Sequence, residues 1–229
     1  EAGFKSSLLD RRLRVNATVF HYDYKDLQVA QLIGTSNILA NTTAKVDGVE
    51  LEVLARPVQG WIIGGDAAFI NPRYGSFPNA VANLDVTGVT DLSGRILAKA
   101  AKRTAHLFTS YELPLGGEKS ITFRTDWNYS SRVNLREEFA NLDSFVFSDP
   151  LVSREALRDA IIQNAYWLGD ASVSFALNKK FKITGFVRNL TDKHYRTTAF
   201  LNKDGALAAL MGLSYAPPRT YGASLDFAF

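Results

Sequence analysis

The residues that could carry acid–base or metal chemistry in this chain are three histidines and a scatter of carboxylates. His21, His106 and His194 lie far apart. No HExxH pair seats a catalytic zinc, no glycine-rich loop cradles phosphate, and no GxSxG turn presents a serine nucleophile. The 229 residues include no cysteine, which removes thiolate metal sites and disulfide frameworks. Glu50, Glu52 and Asp126 would suit the paired carboxylates of a glycoside hydrolase, but a hydrated wall of side chains needs the same residues, and nothing else accompanies them. The expectation is therefore no catalytic residue, no metal site and no cofactor.

The elements that must position these groups are strands. The chain is 21% charged and 46% hydrophobic with a net charge of +3, well away from disorder. No apolar run approaches the roughly 18 to 20 residues of a membrane-spanning helix. Period-two alternation recurs instead. Leu13, Val15, Ala17 and Val19 alternate with Arg14, Asn16 and Thr18, and Val49, Leu51 and Val53 alternate with Glu50 and Glu52. Six further rows follow, namely 61–69, 105–113, 121–129, 167–177, 181–187 and 221–229, giving eight strands in all with a stub at Glu1 to Ser6.

The connections alternate between short turns, near residues 56–60, 114–119 and 178–180, and long stretches, about 28–46, 71–103, 130–165 and 191–219. In an antiparallel meander all short turns then fall at one end and all long loops at the other. Structureless loops longer than about 12 to 15 residues are uncommon in compact domains, whereas outer-membrane barrels sort their loops in this way.

Aromatics bracket the apolar rows. Trp61 and Phe69, Trp167 and Phe175, and Tyr221 and Phe229 each stand eight residues apart, and Trp127 and Tyr129 add to the same girdle. Eight steps of about 3.3 Å tilted by about 40 to 45° project to roughly 19 Å, close to the ~25 Å apolar band of a membrane barrel. The opposite rows contain Arg14, Glu50, Glu52, Arg124, Asp126, Asp170 and Asp226. A dry core could not hold these charges without pairing each one, and a water-filled lumen can. Alternation alone would equally suit a sheet with one wet face; the loop sorting and the aromatic brackets favour the barrel.

Four stretches and the last residue carry a resemblance. Glu1-Ala-Gly-Phe-Lys5 with Asn16 to Asp26, Val46-Asp-Gly-Val-Glu-Leu-Glu52, Val187-Arg-Asn-Leu-Thr-Asp-Lys-His-Tyr195 and Pro218-Arg-Thr-Tyr-Gly222 resemble segments of TonB-dependent receptors, in the family's order. The alternation Tyr221, Ala223, Leu225, Phe227, Phe229 resembles the terminal signal read by the barrel assembly machinery. The resemblance implies a 22-stranded outer-membrane barrel closed by a plug that couples to TonB, with long loops outside and short turns in the periplasm. Residues 1–229 would then be the C-terminal part of the barrel domain, with plug and TonB box absent. The single Met211 and a start at Glu1 also suggest a piece of something longer.

The function so implied is transport of a scarce nutrient such as a ferric siderophore, with the lipid bilayer, lipopolysaccharide, the assembly machinery and TonB as partners. Ligand contacts are unassigned. In the connection 71–103, Arg73, Arg95, Lys99, Lys102 and Arg103 outnumber Asp85 and Asp91, which suits lipopolysaccharide phosphates, an anionic chelate or plain solvation. The stretch Ser148 to Ile162, with Asp149 as cap, Pro150 in the first turn and Leu157 and Ile161 at i, i+4, predicts a short helix that either stiffens a loop or covers a ligand. His21 fits a girdle position and His194 a loop position. Dispersed basic residues give no nucleic-acid stripe. The rival readings are a self-contained eight-stranded outer-membrane barrel and a soluble carbohydrate-binding sandwich.

Overall fold

The computed structural model describes residues 1–33, 36–78, 80, 91–136, 154–204 and 207–228. Its elements in chain order are β1 (Ala2–Leu8), β2 (Leu13–Ile33), β3 (Ser36–Ala55), β4 (Trp61–Tyr74), β5 (Arg103–Gly116), β6 (Lys119–Ser130), β7 (Val133–Asn134), α1 (Arg154–Ile161), β8 (Ile162–Gln163), β9 (Tyr166–Asn178), β10 (Phe181–Arg188), β11 (Arg196–Asp204), β12 (Leu207–Tyr215) and β13 (Thr220–Phe227). Nine of these strands form one antiparallel sheet in the order β1-β2-β3-β4-β5-β6-β9-β10-β13. They are the eight expected rows plus the N-terminal stub. The sheet ends at β1 and β13, which do not pair with each other, so the barrel is not closed within this chain.

Register locks the two faces across the sheet. Val19 lies opposite Val49, Val49 opposite Phe69, Tyr111 opposite Phe123, Phe123 opposite Val173, and Ile183 opposite both Phe175 and Leu225. One face is thus apolar from edge to edge, and its large side chains, including Phe4, Val49, Phe69, Leu107, Phe123 and Leu225, are exposed. Among the described residues, no second layer packs on the middle of the sheet. A slip of one residue would exchange the faces, so the alternation itself fixes the register. The tight turn between β5 and β6 uses Gly116 and Gly117 at φ of 95° and 62°, the left-handed region that glycine enters without a Cβ penalty.

The buried hydrophobic residues gather at the long-loop end. Val29, Tyr74, Phe77, Ala80 and Leu92 form one cluster, with Leu27, Ala40 and Leu97 against it. Leu135, Ala160, Ile161 and Ala199 are buried nearby in sequence terms around β7, α1 and β11.

The connections differ from expectation in three places. Residues 28–46, expected as a long loop, continue β2 and β3 as a hairpin whose register runs to Ile33 opposite Ser36. Within 191–219, β11 and β12 form a separate two-stranded sheet, and within 130–165, β7 pairs with β8. The expected helix is α1. Asp149 and Pro150, and the side chain of Leu157, lie outside the described residues, as do Asp85 and Phe229.

Candidate functional site

The face opposite the apolar one carries the charges. Every strand contributes its alternate residues, so the polar groups line up along the hydrogen-bonding direction of the sheet. On β2 and β3 the Arg14 Nη2 donates to Glu52 Oε1 at 3.0 Å and Asn16 Nδ2 donates to Glu52 Oε2 at 2.8 Å. Next along the sheet, His106 on β5 stands between Asp66 Oδ1 at 3.3 Å from Nδ1 and Asp126 Oδ1 at 3.4 Å from Nε2. The Arg124 guanidinium grips Asp126 through Nε at 2.8 Å and Nη2 at 2.5 Å, and lies 4.9 Å from the Phe108 ring centroid. A fork of two parallel N–H donors and a cation over a ring fix this arginine in one orientation. A hollow of about 560 Å³ opens over β1–β5, lined among others by Lys5, Arg14, Glu50, Glu52, Asp66 and Phe108. The Arg14–Glu52 pair is half-exposed and His106 and Asp126 are partly exposed, which makes a mixed-charge wall open to water in place of a buried acid–base site.

The remaining residues expected on this wall have other partners. Asp226 pairs with Lys182 across β10 and β13, N to O 3.2 Å. Asp170 is opposite Asp126 in register, but its Oδ1 accepts the Asn189 backbone N–H at 2.9 Å. Its role is to anchor a turn.

That turn gives a physical account of two sequence motifs. Asn189 has φ of 52°, and its side chain accepts the Lys193 N–H at 2.7 Å and donates to the Lys193 carbonyl at 3.0 Å. Asp192, also at φ 52°, accepts the Arg219 backbone N–H at 2.9 Å, and the Arg219 guanidinium donates to the Leu190 carbonyl at 3.2 Å. The segments 187–195 and 218–222 are thus tied to each other at the outer end of β10 and β13. Asparagine tolerates the left-handed region better than other side chains and caps its own turn. Asn189→Ala is expected to cost about 1 to 3 kcal/mol, because buried donors and acceptors lose their partners. Hydrogen exchange at the Lys193 and Arg219 amides checks this; unchanged protection there would count against the role.

At the long-loop end, Arg196 Nη1 donates to the carbonyl of Asp159 in the last turn of α1 and, at 3.4 Å, to that of Ile162 just beyond it at the start of β8, while its backbone N–H meets Gln163 Oε1 at 2.7 Å. A cation on the orphan carbonyls of a helix C-terminus is a stabilising arrangement. It pins α1 to β11, which supports the stiffener reading of this helix. In the neighbouring loop, hydrogen bonds from the Ser93 hydroxyl and then its N–H hold the Asp91 carboxyl below its ordinary pKa.

The residues expected to form a girdle, Trp61, Phe69, Trp127, Tyr129, Trp167 and Phe175, all stand on the apolar face by register, and Tyr129 meets Trp167 with ring centroids 5.1 Å apart. Tyr221, Ala223, Leu225 and Phe227 share that face on β13. His21 is engaged in a polar cluster in place of a girdle contact, with Nδ1 2.7 Å from Asp47 and Nε2 3.0 Å from Asp23. The aromatic run Phe20, Tyr22 and Tyr24 around His21 lies along the polar face, its rings tilted to one another at centroid separations of 4.9 and 6.1 Å. Its signal was the even parity it shares with Arg14 and Asn16.

With this geometry in view, the comparisons with known proteins are consistent. A model of the TonB dependent receptor-like β-barrel matches residues 1–190. Similar solved structures include the siderophore receptor PiuA of Acinetobacter baumannii, 22% identical with TM-score 0.65 over 98% of this chain and 27% of that one. The ferric yersiniabactin uptake receptor FyuA of Yersinia pestis is 18% identical, TM-score 0.66, over 99% and 29%. The ferripyoverdine receptor of Pseudomonas aeruginosa is 18% identical, TM-score 0.61, over 98% and 26%. The chain therefore spans between a quarter and a third of these receptors' length, and at such identities the likeness bears on the fold. The residues matched by the family model cover most of the sequence, and the chain belongs to the TonB dependent receptor-like β-barrel family of integral outer-membrane proteins.

Proposed function

We propose that residues 1–229 are part of the barrel domain of an outer-membrane receptor that imports a scarce nutrient by TonB coupling, with a ferric siderophore or similar chelate as cargo. The observation that carries this reading is the segregation of the open sheet: one face exposed and apolar from β1 to β13, the other holding the charge network around Glu52 and Asp126. On this reading the apolar face meets lipid, with the aromatic girdle at its borders. The face bearing Arg14, Glu50, Glu52, Arg124, Asp126, Asp170 and Asp226 lines the lumen, and the elements at the long-loop end face outward. The named functions of the structurally similar receptors support a siderophore as the cargo class. A self-contained small barrel requires its first and last strands to pair, and β1 and β13 do not. A soluble sandwich requires a second layer over the apolar face, and the described residues supply none.

Deleting the gene for the full-length receptor is expected to abolish energy-dependent uptake of one radiolabelled ferric siderophore from a panel of hydroxamate, catecholate and mixed-chelate types. Unchanged uptake and growth under iron limitation across the panel would sink the cargo assignment. The proposed assembly signal is tested separately: removing Phe229 from the full-length protein is expected to reduce the outer-membrane level several-fold, and an unaltered level would remove that role from the Tyr221–Phe229 row.

A further inference from the structure

The short-turn end of the sheet holds an excess of cations. Residues 9–12, 56–60, 116–119 and 178–180 contain Arg11, Arg12, Arg56, Lys119, Lys179 and Lys180 against Asp10 and Glu118, a larger positive excess than the +3 of the whole chain. Glu118 is met by Lys179 at 3.7 Å. Arg11, Arg12 and Arg56 are exposed, and none of their guanidinium groups has an ion pair among the described residues. Two of these arginines face each other. The Arg56 N–H donates to the Arg12 carbonyl at 2.7 Å, one step beyond Leu13 opposite Ala55, so the pair stands in alternation with Arg14 and Leu54 at the foot of the polar face. Like charges directly opposite on neighbouring strands are destabilising unless an anion offsets them. Arg14, the next residue up that row, has Glu52 for this purpose. The turn presenting Arg11 and Arg12 is itself strained: Leu9, Asp10 and Arg11 follow one another at φ of 53°, 52° and 66°, and the Arg12 N–H closes on the Leu9 carbonyl at 3.0 Å. Side chains other than glycine enter the left-handed region singly as a rule, and strain of this kind gathers at ligand clamps and switch regions. Higher on the wall the charge balance reverses, since the hollow over β1–β5 has Glu50, Glu52 and Asp66 in its lining against Lys5 and Arg14.

We propose that Arg12 and Arg56, with Arg11 beside them, form an anion-binding station at the short-turn mouth of the lumen, which receives an anionic metal chelate as it leaves the barrel. The inference rests on the lumen-facing and transport assignments made above. An anion passing down this wall leaves a surplus of carboxylates for a surplus of cations, and the summed field of the turn end draws it outward. Guanidinium forks suit the paired oxygens of a carboxylate-bearing chelate. Because the arginines are exposed, the attraction is screened and the anion is released again, as passage through a pore requires.

The test uses the full-length receptor in non-ionic detergent, spin-labelled through Gln59→Cys in the exposed turn that holds Arg56. Collisions of the label with tris(oxalato)chromate(III), an inert trianionic chelate, are compared by power saturation with collisions of neutral nickel(II) ethylenediaminediacetate. At about 10 Å in ~0.1 M salt, each arginine concentrates the trianion about two-fold. Arg12→Gln or Arg56→Gln is therefore expected to lower the anion-to-neutral ratio about two-fold and both together about four-fold, while Lys179→Gln, in the turn toward the other sheet edge, leaves it unchanged. Equal ratios in wild type and the arginine variants would overturn the station, and that is the result if an acidic segment of the receptor already covers these arginines. In cells, the double variant should lower the maximal uptake rate of the ferric chelate that the receptor takes from the panel above by about four-fold, with an unchanged half-saturating concentration, which capture at the long-loop end sets. A carried chelate without net negative charge, an unchanged maximal rate, or a shifted half-saturation would each overturn it as well. Heat-modifiable mobility reports folding of each variant, and Arg56→Gln carries the test if the double variant does not fold. Uptake that proceeds without arginine dependence sinks the station alone; uptake of no chelate in the panel sinks the transport reading beneath it.

Discussion

Val173→Arg is expected to destabilise the folded receptor by about 2 to 4 kcal/mol, the cost of a basic side chain near the bilayer midplane of a barrel. Val173 lies midway along β9, exposed on the apolar face, with Phe123 opposite it on β6 and Gly185 opposite it on β10. None of these neighbours offers an anion, so a guanidinium there has no partner within the band and would have to reach for an interface. Ser172→Arg places the same charge on the other face, between Arg124 and Phe186 in register. Arg124 is already held by Asp126, and repulsion from it costs at most about 1 kcal/mol in an exposed cross-strand pair. The difference between the two variants, read as the urea midpoint of receptor refolded into phospholipid vesicles, isolates the face assignment from any general effect of adding charge. Equal losses at the two positions would mean that neither face meets lipid.

The parity that this comparison relies on is what the sequence displays best, and the place where it breaks is where sequence reading went astray. From Leu13 to Tyr24 the odd residues are apolar until Val19, and then His21 and Asp23 occupy the same row. Past the apolar band the outward face no longer excludes charge, so the alternation fades although the strand goes on. A bulge then changes the parity. Between Tyr24 and Leu27 β2 gains one residue on β3, with Asp26 at φ 57°, so that Leu27 and Val29 turn to the face of Ala44 and Tyr74. The inward row thereby becomes the floor on which Phe77 and Leu92 pack. An extra residue that inverts faces is the normal effect of a bulge, and one chain read for period two cannot distinguish it from the end of a strand. The hairpin of β11 and β12 escaped for a related reason: it pairs away from the main sheet and so continues neither of its two faces. The wall of the candidate site was legible as a set of charged positions, because a hydrated row facing an apolar one needs no knowledge of partners. Its pairings were not, since Asp170 and Asp126 look alike in sequence and differ through a turn closed by Asn189, nineteen residues after Asp170.

The second large effect concerns glycines that the alternation treats as mere gaps. Gly64 is buried on the polar face of β4, opposite Phe108, and a Cβ there would stand 2.6 Å from Phe108 Cε1 and Cζ and 3.0 Å from Leu54 Cδ1. The ring lies flat on the glycine, a close approach of the kind that glycine in a strand commonly marks. Phe20 over Gly48 and Phe186 over Gly222 repeat the arrangement on the same face. Gly64→Val forces the Phe108 ring away, and the ring carries the Arg124 guanidinium on its face and stacks on His106 at 5.6 Å. The expected loss is about 1 to 3 kcal/mol for overpacking, measured by the same vesicle-based unfolding. Phe108→Ala in the Gly64→Val background should cost less than it does alone, because the single valine has already displaced the ring; such residues in contact couple by about 0.5 to 3 kcal/mol. Gly185→Val supplies the contrast. It stands on the apolar face of β10 with open space within 4 Å of an added Cβ, and a β-branched side chain there is expected to be neutral or to stabilise by up to about 1 kcal/mol. Strict additivity in the Gly64 and Phe108 cycle, or an equal loss at Gly185, would show that the glycines serve strand geometry in general and that the ring contact does not hold Arg124 in place.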